Sequence, residues 1–271
     1  MRNAVLAVMV LGAAQLLRPA LSAEEAHHPL DWENWHAGNE VTNTDSLQRG
    51  ARNFNNYCSA CHSLKYLRYS RMAKDLKIPT EQLKANLMPP GATPADYMQS
   101  SLQSADAIAW FGKEPPDLSL IARSRGPDKV YRFLKTFYLD PSRPTRANNL
   151  VLNNPAMPPV LSALEGVKAA VYTTTKSTVD GKIVETKVFD HFDTVVPGSM
   201  SAEEFDGFVR DTVNFLDYAG EPAQADRRSI GVWVVLFLLT FTWIALLLKK
   251  EYWKTSIEVA PVAMTPRQQG A

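Results

Sequence analysis

The residues of this 271-residue chain best equipped for chemistry fall in one short window, Asn-Asn-Tyr-Cys-Ser-Ala-Cys-His at 55–62. Cys58 and Cys61 are the only two cysteines, and His62 follows the second directly. A disulfide has no use for that histidine. A redox dithiol of the thioredoxin kind sits at a strand-to-helix junction in a βαβ pattern, and none surrounds this window. Structural zinc needs two further ligands at a regular spacing, and His27, His28, His36 and His191 supply none. Cys-x-x-Cys-His is the spacing of c-type haem attachment. Two thiols add across the two vinyl groups of the haem as thioethers, and the adjacent imidazole is placed to ligate the iron. One such window implies one covalently bound haem c.

The second axial ligand decides whether such an iron passes electrons or acts on a bound molecule. Met72 lies in a basic, helical run too close behind the window. Met98 and Met200 fall in amphipathic contexts that suit packing. Met88, in Asn-Leu-Met-Pro-Pro-Gly, and Met157, in Asn-Asn-Pro-Ala-Met-Pro-Pro, each sit in a stiff, irregular, proline-bounded loop. Spacing alone does not choose between these two.

These groups need elements to hold them. Leu47, Ala51, Phe54 and Tyr57 recur at near-helical spacing before the window, with Asp45 or Ser46 expected as the cap. Ser201 to Glu204 is a capping box that opens a second helix, with Phe205, Phe208, Val209, Thr212, Val213 and Leu216 on one face. These two helices are expected to cross. Residues 168–190 alternate Val, Thr and Ile with polar residues around Asp180-Gly181, a β-hairpin pattern with a tight turn.

The ends of the chain place it. Residues 1–23 have a basic start, an apolar run from Ala4 to Leu17 and small residues up to Ala23. That is the layout of a secretory signal peptide, cleaved near Ala23. Ile230 to Leu248 contains no charge and is flanked by Arg227, Arg228, Lys249 and Lys250. At 1.5 Å per residue it reaches roughly 28 Å, close to the hydrocarbon thickness of a bilayer. The expected organisation is a signal peptide at 1–23, an extracytoplasmic domain at 24–228, a transmembrane helix at 229–249 and a cytoplasmic tail at 250–271. The exported part carries 23 Lys and Arg against 26 Asp and Glu. That balance argues against nucleic-acid binding.

From the window onward the chain resembles the cytochrome c1 family of the respiratory cytochrome bc complex (Complex III), in its bacterial type. The resemblance lies in Cys-Ser-Ala-Cys-His-Ser-Leu-Lys-Tyr-Leu-Arg-Tyr-Ser-Arg-Met, in Pro-Pro-Asp-Leu-Ser from Pro115, in the Met157 loop, and in the stretch from Val209 into the apolar segment. The family's fold is mainly α: a cytochrome c-like haem domain, here with a small β-hairpin insertion and one C-terminal transmembrane helix. The resemblance implies that Cys58 and Cys61 hold the haem and that His62 and Met157 ligate its iron. It implies that Pro115, Pro116 and Asp117 line the cleft and that Arg125 pairs a propionate. Lys129 departs from the family, which often has an aromatic residue there near a propionate; Tyr131 is a neighbour of that position.

The implied role is an electron-transfer subunit of ubiquinol–cytochrome c oxidoreductase with no bond-making chemistry of its own. It would relay one electron at a time from the Rieske iron–sulfur protein to a cytochrome c. Cytochrome b and the Rieske protein are the implied partners, in a dimeric complex. The haem domain would lie in the periplasm of a bacterial inner membrane. The alternatives are a free-standing membrane-anchored cytochrome and a haem enzyme with an open distal site. Two charged stretches could dock partners: a basic run of Lys65, Arg68, Arg71, Lys74 and Lys77, and an acidic one from Glu24 to Asp45.

Overall fold

In a computed structural model, which describes residues 30–179 and 182–258, helix α1 (Thr44–Tyr57) leads directly into the cysteine–histidine window. Leu47, Gly50, Ala51 and Phe54 form its buried stripe at helical spacing. The cap is Asn43, whose side chain accepts from the Ser46 amide at 3.1 Å. Asp45 and Ser46, expected as caps, fall in the first turn instead, where Asp45 faces the positive end of the helix dipole. Tyr57 leaves the stripe at 37% exposure and meets Phe208 edge-on.

The chain continues through β1 (Leu64–Arg68), α2 (Tyr69–Asp75), α3 (Thr80–Asn86), β2 (Tyr97–Met98) and α4 (Ser104–Phe111). Then come α5 (Ile121–Arg125), α6 (Pro127–Lys135), β3 (Phe137–Leu139), β4 (Ala147–Asn149) and α7 (Ser162–Glu165). β1 pairs antiparallel with β2, and β3 with β4 in the register Phe137–Asn149 and Leu139–Ala147. The long strands β5 (Gly166–Val179) and β6 (Lys182–Pro197) form the expected hairpin. Its expected turn at Asp180-Gly181 lies outside the described residues, as does the expected signal peptide.

Helix α8 (Ala202–Gly220) opens with the expected capping box, Ser201 accepting from the Glu204 amide and Glu204 from the Ser201 amide. It crosses α1 at Gly50. A Cβ at Gly50 would lie 2.1 Å from the Asp211 carbonyl oxygen and 2.6 Å from the Phe215 Cβ. Glycine therefore sets how closely the two helices approach. Arg49 clamps the crossing to Asp211 at 2.5 and 2.9 Å. Buried Asn53 donates to the Phe208 carbonyl and the Thr212 hydroxyl, each at 3.2 Å.

The core divides at this crossing. One cluster joins Leu47, Phe54, Leu64, Met72, Leu83 and Phe215. The other joins Ala37, Tyr131, Leu161, Phe205, Val209 and Val213. These belong to a compact unit of residues 31–170 and 192 onward. The outer hairpin, 171–191, forms a second unit with Leu30, in which the Leu30 amide donates to the Asp190 carbonyl and Tyr172 meets Phe189 edge-on. Helix α9 (Gln224–Glu258) runs 35 residues, about 52 Å at the standard rise. Its stretch to Lys254 is long and apolar enough to cross a membrane, with none of its apolar window buried.

Candidate functional site

Helix α1 ends inside the window. The amides of Cys58 and Ser59 both donate to the Phe54 carbonyl, and those of Cys61 and His62 return to the Cys58 carbonyl at 3.1 and 2.8 Å. One tight turn thus gathers the two cysteines and the histidine. Both cysteines are free and half-buried. Burial pushes the Cys58 thiol up to about 12, and the neighbouring Cys61 adds to the shift. A redox dithiol requires the opposite shift, because its attacking species is a thiolate. Two free, half-buried cysteines gathered in one turn suit attachment by thioether bonds.

His62 is fixed by a backbone group. Its Nδ1 lies 2.8 Å from the Pro116 carbonyl oxygen. A carbonyl oxygen only accepts, so Nδ1 carries the proton and Nε2 keeps its lone pair for a metal. Burial lowers the imidazole pKa from its ordinary value, outweighing the Pro116 carbonyl and the Asp117 charge, which raise it. That shift favours the neutral form that a ligand must have.

The Pro-Pro-Asp-Leu-Ser segment is laced to the window by three more bonds. The Leu118 amide donates to the Ser63 carbonyl at 2.9 Å. The Lys65 amide donates to Asp117 Oδ2 at 2.9 Å, and the Tyr66 amide to the Ser119 hydroxyl at 3.2 Å. Asp117 Oδ1 also accepts from the Ser119 amide at 3.0 Å. Asp117 is therefore a backbone clamp, a role the sequence did not disclose. Pro115 is half-buried beside it.

Arg125 ends α5, exposed and, among the described residues, without an ion pair; Arg123 beside it is held by Glu221. Lys129 is exposed on α6. Tyr131 cannot stand in for an aromatic at that position. It is 2% exposed, and its hydroxyl is engaged by Asp206 and by Lys135.

The methionines separate by packing. Met72 and Met98 are fully buried in the first core cluster, and Met88 packs against it. Met200 packs against the second. Met157 belongs to neither and sits half-buried in its loop. With Phe137, Leu139, Arg146, Glu165 and Lys168 it lines a cleft of about 270 Å³, which none of Cys58, Cys61 and His62 reaches. The structure thus joins Cys58, Cys61, His62 and Pro116 directly, and places Arg125 and Met157 on separate elements without a direct bond to them. Two residues that sequence reasoning passed over are Asn148 and Asn149, both buried at the root of the Met157 loop. The only available signal was polar side chains closing a short strand.

In the basic run, Arg68 is tied to the Ala95 carbonyl and lies over the Tyr97 ring, and Arg71 pairs with Asp75 at 2.5 Å. Lys74 and Lys77 remain exposed.

Residues 35–256 match the model of the Cytochrome C1 family. The chain is 43% identical to a cytochrome c1 of Allochromatium vinosum, over 91% of this chain and 98% of that one. It is 40% identical to an ammonia monooxygenase gamma subunit of Nitrosomonas europaea, over 78% and 83%. It is 29% identical to a cytochrome c1 of Rhodospirillum rubrum, over 93% and 96%.

Proposed function

The chain belongs to the cytochrome c1 family, and from that premise we propose how its residues divide the work. It is the haem-bearing electron-transfer subunit of a cytochrome bc complex, carries covalently bound haem c, and works with cytochrome b and the Rieske protein. Its apolar α9 anchors it to a membrane.

The finer assignments are ours. Cys58 and Cys61 form the two thioethers, His62 and Met157 are the axial ligands, and Arg125 pairs a propionate, with Pro115 and Pro116 against the ring. The observation that carries this reading is the bond from His62 Nδ1 to the Pro116 carbonyl, which leaves Nε2 available to a metal. Haem c supplies a one-electron couple between ferric and ferrous iron. The protein's part is positional. The Pro116 carbonyl orients the imidazole and raises its basicity. The Asp117 clamp fixes the Pro-Pro segment. Met157 would supply a thioether ligand to the iron, a ligand type that favours the ferrous state. Arg125 offers a permanently charged, two-pronged partner to a carboxylate.

Residues 1–23 are read as a cleaved signal peptide, 24–228 as a periplasmic domain, 229–249 as the span and 250–271 as a cytoplasmic tail. The electron acceptor is a cytochrome c, and the complex is a dimer.

The test is a reduced-minus-oxidised visible spectrum of the affinity-purified protein from its own membranes in mild detergent. A c-type band with b-type bands is the expected result. A c-type band alone would favour a free-standing cytochrome. Absence of a c-type band would overturn the attachment reading of Cys58 and Cys61. Mass spectrometry of the same sample separates this assembly from an ammonia-oxidising one, to which the name of the Nitrosomonas relative belongs.

A further inference from the structure

Residues 150–160 carry Met157 and form neither helix nor strand. Such a loop holds a ligand in place only if something other than regular backbone pairing satisfies and fixes it. Here two consecutive side chains do so. Asn148 and Asn149, 4% and 3% exposed, close strand β4. Asn149 Oδ1 accepts from the amides of Val151 at 2.9 Å and Leu152 at 3.1 Å, and from the Thr136 hydroxyl at 3.3 Å. Its Nδ2 donates to the Phe133 carbonyl at 2.8 Å, tying the loop root to α6. Asn148 Oδ1 accepts from the amides of Asn154 at 2.8 Å and Asn149 at 2.9 Å. Its Nδ2 donates to Asn153 Oδ1 at 3.0 Å and Asp140 Oδ2 at 3.2 Å.

The amides at 151, 152 and 154 therefore all end on these two side chains. Asn154 adopts φ +55°, and Pro155, Pro158 and Pro159 supply no donors and fix their own φ. The loop is rigid without being regular. Only a primary amide does this work, because each position needs an acceptor and donors on one short side chain. Aspartate at 148 would set a second carboxylate against Asp140.

We propose that Asn148 and Asn149 are positioning residues for the distal axial ligand. They fix the loop from which the Met157 thioether meets the iron, and so keep the iron closed to outside ligands and its potential high. This inference rests on the reading of Met157 as that ligand.

The experiment uses the full chain with haem attached, in its own membranes, and compares Asn148→Ala, Asn149→Ala, Met157→Leu and Leu83→Ala with the parent. Leu83 is 1% exposed in the first core cluster and serves as a destabilised control outside the loop. Met157→Leu should abolish the far-red methionine-to-iron charge-transfer band and let the ferrous protein bind carbon monoxide. The asparagine variants should weaken that band, lower the midpoint potential and bind carbon monoxide in part. They should also speed amide hydrogen exchange at Val151, Leu152 and Asn154 by about tenfold, the equivalent of one lost net hydrogen bond. Leu83→Ala should match the parent in band, potential and carbon monoxide refusal.

Asparagine variants that exchange faster yet keep the parent's band and potential would overturn the inference. So would a Leu83→Ala protein that opens its iron equally. Should Asn149→Ala not accumulate, Asn149→Asp decides: it keeps an acceptor for Val151 and Leu152 but loses the donor to the Phe133 carbonyl, so a weakened band is expected and a parent-like one counts against the proposal. If Met157→Leu itself leaves the band intact, the ligand reading has failed. If Met157→Leu opens the iron and the asparagine variants do not, only the positioning role has failed.

Discussion

The imidazole of His62 donates through Nδ1 to the carbonyl oxygen of Pro116 at 2.8 Å, joining positions 54 residues apart. The acceptor is a main-chain atom, so no side-chain substitution at 116 removes it. Its place depends on what holds residues 115–119, and that is chiefly Asp117.

Asp117→Ala is therefore expected to act on His62 from a distance. It strips acceptors from the Lys65 and Ser119 amides. Leaving them unmet should cost about 1–3 kcal/mol, read as a lower midpoint in denaturant unfolding. The His62 ring should lose orientation, visible as a broadened ligand signature in paramagnetic resonance of the oxidised protein. Unchanged stability would show that the clamp is redundant.

Arg125 and Arg123 should behave differently although they are two residues apart. Arg125→Gln removes an unpaired positive charge proposed to face a propionate, so the ferrous state loses support and the midpoint potential falls. Arg123→Gln removes a charge already met by Glu221 and should leave the potential in place. Redox titration of both variants checks this, and equal shifts would refute the assignment to Arg125.

Gly50→Ala is expected to be severe, because its Cβ would lie 2.1 Å from the Asp211 carbonyl oxygen. Overpacking of this kind costs about 1–3 kcal/mol, and more where backbone must move. Gly207→Ala on α8 meets nothing within 4 Å and should instead stabilise by about 0.5–1 kcal/mol through helix propensity. Thermal melts of the two variants should move in opposite directions.

The acid limb of stability should report Asp206. Burial pushes this carboxyl up, but hydrogen bonds from Lys135, Tyr131 and Arg210 outweigh it and hold it at about 2. An unfolded aspartate titrates near 3.9. A depressed carboxyl contributes stability that is present above the unfolded value and lost as pH falls through the folded one. The parent should therefore lose stability between about pH 4 and pH 2. Asp206→Asn should be less stable at neutral pH and lose less across that window, measured by denaturant midpoints at each pH.

What the sequence determined by itself is whatever depends on local spacing. Cys58, Cys61 and His62 lie within one turn, so their chemistry is written in five consecutive positions. The capping box at Ser201 and the apolar stripe of α8 follow from helical periodicity, and the hairpin from alternation at 168–190. The cap of α1 lies two or three residues before the expected Asp45 or Ser46, because asparagine, aspartate and serine all cap, and only geometry shows that Asn43 does.

The tertiary structure decided what depends on partners distant in sequence. Spacing left Met88 and Met157 level. The structure gives them different surroundings, Met88 packing against the first core cluster and Met157 against neither, while the choice of Met157 as ligand rests on the family resemblance. Asp117 reads in sequence as a polar residue in a cleft motif, and becomes a clamp only once the Lys65 amide is beside it. Gly50 is a neutral-looking helix residue until α8 crosses over it. Asn148 and Asn149 carry no periodic signal, since their value lies in ending the hydrogen bonds of a loop that has no regular structure. Hydrogen bonds and close approaches between distant segments are set by three-dimensional proximity, which no one-dimensional pattern encodes.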